Sequence, residues 1–335
     1  YTMAAMSLGY CFTAAYMRTV CLLSSRPEHP WLVAAGKATR IALVAAAGVL
    51  IAYEVGIGYV HAETRNTRFI HVYVDRLLDN LKGRTWLVTD GVFDDMLLLR
   101  AAERGMELNL IDLANASSAV QKKLMKEKLD SARLKNSLDI GALSFLQEWI
   151  ESDPKVTRKL AFCLFPDLWS IGDYKVYPHG LVFFGEDRAS DAESAQIADA
   201  ENVARYFALM DEMEVELATV SDRSARMVKA LADTVRRRVS FIGNNLGYFM
   251  ETHGHAAEAL DIYRRVHAFD PKNVSAMLNF ASTLERAGLK DELAVVRTEI
   301  ETFRKSQKKP LQIWELSRTQ GYVNSPEAFS YLGWT

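Results

Sequence analysis

The sequence predicts a membrane-anchored α+β/α chain: two N-terminal transmembrane helices, a small α/β domain with a parallel βαβ unit, then a region of helical repeats. Three observations carry that prediction. Residues 41–60 run for twenty positions with Glu54 as their single charge. Residues 85–113 read as strand, helix and strand, and beyond 191 long amphipathic stretches follow with glycine and proline rare. A length of 335 residues leaves room for about two globular units. The 49% hydrophobic and 24% charged content excludes a disordered chain. A net charge of -2 argues against a nucleic-acid partner, because neutralising phosphates needs a clustered basic excess. The 3 cysteines include no C-x-x-C pair, so neither a disulfide framework nor a zinc motif is expected, and no motif calls for a cofactor. Because the chain begins at Tyr1, it reads as a piece of something longer.

Residues 1–62 form the predicted membrane segment, with helices at about 1–23 and 41–60. A helix over Ile41–Val60 would be about 30 Å long, enough to cross a bilayer core. Upstream, residues 1–17 carry no charge before Arg18, which suits the end of another span better than a signal peptide. Between the spans Arg18, Arg26, Lys37 and Arg40 outnumber Glu28. The positive-inside rule then places this loop in the cytoplasm and everything after about 60 outside it. Gly48, Ala52 and Gly56 share one helix face and would let a neighbouring helix approach, or simply reflect the alanine and glycine common in such helices. In an oxidising compartment Cys163 is tolerable only if buried in its apolar run, LAFCLF.

Residues 63–190 form the predicted α/β domain. TWLVT (85–89) reads as a strand, Asp90-Gly91 breaks it, residues 92–104 have helical apolar spacing, and MELNLIDL (106–113) reads as a second strand. A helix near 141–150 and strands at 160–165 and 181–184 follow. The DGVFDD loop puts Asp90, Gly91, Asp94 and Asp95 at the carboxyl end of the first strand, where open parallel sheets favour ligands. These carboxylates suit a divalent cation or sugar hydroxyls. The simpler account has Asp90 capping the helix while Asp94 and Asp95 complement its dipole. No glycine-rich phosphate loop is present. His179, between Pro178 and Gly180, is a turn residue that would face a cleft. His253 and His255 lack further ligands, so no metal site is expected.

Residues 191–304 read as helical, with stretches at 195–217 and 222–251. Within 243–273, NLGYFMETHGHAAEALDIYRRVHAFDPKN resembles a tetratricopeptide repeat: Leu246, Gly247, Gly254, Ala259, Tyr263 and Pro271 fall at that family's spacings. Gly243, Met250 and Val266 depart from its usual residues. A degenerate second copy over 277–304 follows through Asn279, Phe280, Gly288 and Asp291. The resemblance implies a protein or peptide partner bound through the repeats, or a purely architectural role. Residues 305–335, basic at Lys305, Lys308 and Lys309 and then aromatic, are expected to pack on the repeats.

The whole layout resembles the C-terminal portion of a bacterial polytopic membrane family related to protein O-mannosyltransferase-like proteins with a GT-C-type core. The segments WLVTDGVFDD and VYPHGLVFFGE carry the likeness. Pro178, Gly180, Leu181 and Val182 match a Pro-x-Gly-Leu-Val segment of that family. Asp90, Gly91, Asp94 and Asp95 match its acidic loop only loosely, since the order differs and an asparagine is missing. The resemblance implies a multi-pass protein of the bacterial inner membrane that moves a sugar from a lipid-phosphate donor to a protein or glycan. Its catalytic acidic residue would lie upstream of this chain. On that reading the chain is a non-catalytic, extracytoplasmic portion in contact with membrane lipid and an upstream transmembrane bundle, its repeats binding acceptor or partner. The alternative is a membrane-anchored repeat scaffold for envelope assembly without enzymatic activity.

Overall fold

A computed structural model describes residues 67–115, 118–186, 200–221, 224, 226–306 and 313–324, with seven further residues between 38 and 49. The chain divides into two compact units, Tyr1–Thr64 and Arg65–Thr335. In the first, Ala38, Ile41, Ala42, Ala45, Ala46, Gly48 and Val49 are helical and exposed. Nothing lies within 4 Å of a Cβ placed on Gly48. Ala52, Gly56 and most of the two expected spans lie outside the described residues. Among the described residues no helix is long and apolar enough to cross a membrane. The expected pair of transmembrane helices is therefore unsupported, and the membrane-anchored architecture is corrected to a mostly helical one carrying a small mixed sheet. The prediction rested on the length and composition of residues 41–60, of which only six are described.

The second unit opens with α1 (Arg68–Asp79), whose Phe69, Ile70, Tyr73, Val74, Leu77 and Leu78 recur at helical spacing and are all buried. Then come β1 (Trp86–Thr89), α2 (Asp94–Glu103) and β2 (Asn109–Asp112). β1 pairs in parallel with β2, Val88 opposite Ile111, so the expected parallel βαβ unit is present. Three short helices follow: α3 (Ala119–Lys128), α4 (Ala132–Ile140) and α5 (Ala142–Ser152). β3 (Leu160–Phe162) then returns to the other side of β1, again parallel. β4 (Lys175–His179) and β5 (Val182–Glu186) close the sheet as an antiparallel hairpin, giving the order β2-β1-β3-β5-β4. β1 has a partner on each side, and every one of its residues is buried, hence the unbroken apolar run WLVT. Trp86 meets Trp149 of α5 edge-on at 5.1 Å. Cys163 is buried, its thiol donating to the Val88 carbonyl at 3.0 Å. Fully burying side chains of this size contributes about 1.5–3 kcal/mol each.

The other described elements are helices: α6 (Ala200–Ala218), α7 (Arg226–Thr252), α8 (Ala256–Phe269), α9 (Val274–Ala287), α10 (Lys290–Ser306) and α11 (Ile313–Gln320). α7 is the axis of the unit, touching α1, α6, β4, α8, α9 and α11. Phe241 of α7 packs edge-on against Phe183 of β5 at 5.7 Å. The end of α7 with α8, and α9 with α10, form two helical hairpins where the two repeats are expected. The signature residues fill the roles their chemistry dictates. Gly247 lies against the Tyr263 ring, Ala259 is fully buried, Gly254 turns the chain at φ +88 and Pro271 follows the end of α8.

Candidate functional site

The carboxyl ends of β1, β2 and β3 face one groove. The crossover from β1 runs to β2 on one side, and the chain comes back as β3 on the other, so the crevice beyond β1 is a switch point of the kind that hosts ligands in open sheets. Thr89 ends β1, and Asp90-Gly91 turns the chain. Gly91 adopts φ +82, and a Cβ there would stand 2.6 Å from the Asp112 carboxylate, so glycine is required on both counts. Asp112, opposite Thr89 at the end of β2, accepts from the Ala114 amide at 2.8 Å and from the Asn115 side-chain amide at 2.7 Å.

The acidic loop separates its carboxylates instead of gathering them. Asp90 accepts from the Val92 amide at 3.3 Å and pairs with the buried guanidinium of Arg238 on α7. It does not cap α2: the capping position falls on Phe93, without a side-chain hydrogen bond. The Arg238 guanidinium also lies over the Phe93 ring at 4.8 Å. Asp94 and Asp95 occupy the first turn of α2, where their charge suits the helix dipole. Asp95 is exposed, whereas Asp94 is half-buried and accepts from the Thr89 hydroxyl at 3.0 Å. Among the described residues no three His, Cys, Asp or Glu side chains converge to hold a metal ion.

Burial pushes the Asp94 carboxyl up to about 6, helped by Asp112 and Asp90 and opposed by the Thr89 hydroxyl and Arg238. The folded state thus binds this proton more tightly than the unfolded chain does, and the contribution is lost as pH rises from about 4 through about 6. Asp94→Asn keeps an acceptor for Thr89 and removes the titration. It is expected to raise stability at pH 7 by about 1 kcal/mol, discounted for the partial exposure of the group. Urea melts from pH 4 to 7 check this: equal slopes in both proteins would show that Asp94 does not titrate in that range.

Beyond the loop the groove opens to about 790 Å³, lined by Asp90, Leu113 and Ala114, by Ile140 to Ser144 at the α4–α5 junction, and by Phe165, Leu168, Lys122 and Arg318. Phe165 holds a left-handed conformation, φ 56, and Arg318 of α11 stacks over its ring at 5.0 Å. A non-glycine residue strained in this way is a feature that binding sites accumulate. The lining is mostly apolar, with Lys122 and Arg318 as cations and Asp90 already neutralised by Arg238. Such a surface suits a ligand with an apolar body and a carboxylate or phosphate.

His179, the candidate cleft residue, is buried at the end of β4 and stacks on Phe184 at 5.3 Å. It does border a cleft, a separate one of about 260 Å³ shared with Arg76, Asn80 and Tyr206. It is not brought to the acidic loop's groove. Sequence reasoning missed Arg238, Asp112, Lys122, Phe165 and Arg318. Only Asp112, the polar end of an apolar strand, carried a local signal. No protein-family model, curated protein or solved structure matches this chain.

Proposed function

We propose that this chain is a non-catalytic recognition portion of a glycosyltransferase-like protein, and that it binds the acceptor in the groove beyond β1 and β3. The observation that carries this is the pairing of Asp90 with Arg238 at the mouth of an apolar, cation-edged groove. A carboxylate engaged by a buried guanidinium is a positioning group, poorly suited to act as a base. The resemblance of Pro178, Gly180, Leu181 and Val182 to the glycosyltransferase-related family supports the same assignment. Here Leu181 and Val182 are fully buried, so that segment serves the sheet rather than the chemistry. The acceptor would seat apolar side chains against Leu143, Phe165 and Leu168 and place an acidic group near Lys122 and Arg318.

The test is sugar transfer by the intact protein carrying Lys122→Glu and Arg318→Glu. The acceptor KM is expected to rise about tenfold, equivalent to roughly 1.4 kcal/mol, with kcat and the donor KM unchanged. A fall in kcat at unchanged acceptor KM would place these residues in the chemistry and overturn the proposal.

A further inference from the structure

The helical hairpins hold a second built site, and the chain itself sits in it. Asn245 on α7 and Asn279 on α9 are thirty-four residues apart, the same position of successive repeats, and both are buried. Their side chains hydrogen-bond main-chain atoms of the segment that follows α11. The Tyr322 amide donates to Asn245 Oδ1 at 3.0 Å, and the Asn324 amide donates to Asn279 Oδ1 at 2.8 Å. The Tyr322 carbonyl accepts from Asn244 at 2.9 Å and from Asn279 at 2.8 Å, while the Gln320 carbonyl accepts from Asn273 at 3.1 Å. The rungs thus engage Gln320, the last residue of α11, and then Tyr322 and Asn324 beyond the left-handed turn at Gly321.

A grip of this kind reads main chain more than side chains. Without the segment Asn244 Nδ2, Asn245 Oδ1 and Asn279 Oδ1 would lose these partners, whereas Asn273 keeps Ser240 and the Ala276 amide, and buried amides left without partners are costly. A polypeptide main chain, here that of Tyr322 and Asn324, supplies those partners. Among the described residues a cavity of about 350 Å³ adjoins Gln320, and one of about 440 Å³ adjoins Tyr322. The second is lined by Tyr174, Tyr177, Tyr248 and Phe249, and the Tyr322 ring leans on Tyr248 at 5.1 Å. Gly321 is the one position of the segment with a strict requirement. It adopts φ +98, and a Cβ there would stand 2.5 Å from the Asn244 side-chain nitrogen, itself held by hydrogen bonds.

We propose that the seam between α7 and α9 is a main-chain-reading peptide site that the chain's own Gln320–Asn324 segment fills in cis, so that a partner polypeptide binds by displacing it. The partner carries a glycine followed by an aromatic residue, the glycine passing Asn244 and the aromatic entering the tyrosine-lined cavity. This site shares no lining residue with the groove beyond β1 and β3, and it stands whether or not that groove binds an acceptor.

Gly321→Val unseats the segment while leaving every asparagine of the seam in place. The probe is a fluorescein-labelled peptide with the sequence of residues 318–326, read by fluorescence anisotropy against the full chain. The Gly321→Val chain is expected to bind it at least about tenfold more tightly than the wild type, and Gly321→Val with Asn279→Ala to lose that gain. A folded Gly321→Val chain that gains no affinity would overturn the proposal, as would equal binding by the wild type. Should Gly321→Val fail to fold, hydrogen exchange on the wild type decides. Excess unlabelled peptide is expected to speed exchange of the Tyr322 and Asn324 amides about tenfold, and unchanged protection would sink the idea.

Discussion

Arg238→Ala is expected to lower the unfolding free energy by about 3–4 kcal/mol, the largest effect of any single polar truncation near the edge groove. The side chain is 8% exposed and its guanidinium meets two things at once, the Asp90 carboxylate and the face of Phe93. Truncation leaves the half-buried Asp90 beside Asp94 without its counter-charge, and opens a gap between α7 and the β1 loop. Urea melts at pH 7 read the loss directly, and the melting temperature is expected to fall by roughly 8 °C. Arg238→Met combined with Asp90→Asn is the control. It removes both charges while keeping much of the volume, and is expected to cost less than half as much, because a neutral, filled site has no orphaned ion. A loss under about 1 kcal/mol for Arg238→Ala would mean that water already screens the pair.

The same residue shows where sequence reading stops. The turn at Asp90-Gly91, α2 and β2 were legible because their signals are local: a two-residue turn, apolar spacing at period 3.6, and an apolar run of strand length. Asp90 and Arg238 are 148 residues apart, and nothing near Arg238 separates it from Arg236 and Arg237. Only the packing of α7 decides which of the three arginines is buried. β4 was missed for a different reason. Its Pro178 removes a donor, which marks a strand as implausible unless it lies at a sheet edge, and β4 is an edge strand. The short helices α3 and α4 carry little apolar face, so their pattern was too weak to read. The tetratricopeptide-like pattern located both hairpins, but no family spacing assigned Asn244 or Asn245, whose role depends on a segment about eighty residues away.

Gly247→Val is expected to cost about 3 kcal/mol, and the reason can be separated from a general dislike of change in helices. In α7 a Cβ at this position would stand 2.5 Å from the Tyr263 ring. That ring is fully buried, and its hydroxyl donates to Glu251 at 3.0 Å, so it cannot swing aside. Overpacking on this scale costs roughly 1–3 kcal/mol, occasionally more. Intrinsic helix propensity works in the opposite direction: a glycine inside a helix is about 1 kcal/mol worse than alanine. The two effects predict a change of sign. In the wild-type background Gly247→Ala is expected to destabilise by about 1–2 kcal/mol, because contact outweighs propensity. With Tyr263→Leu in place the ring edge is gone, and the same alanine is expected to be neutral or to stabilise by up to about 1 kcal/mol. The double-mutant cycle therefore carries a coupling of about 2 kcal/mol, within the range seen for residues in contact. Additive single effects would show instead that α7 shifts to relieve the contact, and that the small residue at this repeat position answers to helix geometry rather than to Tyr263.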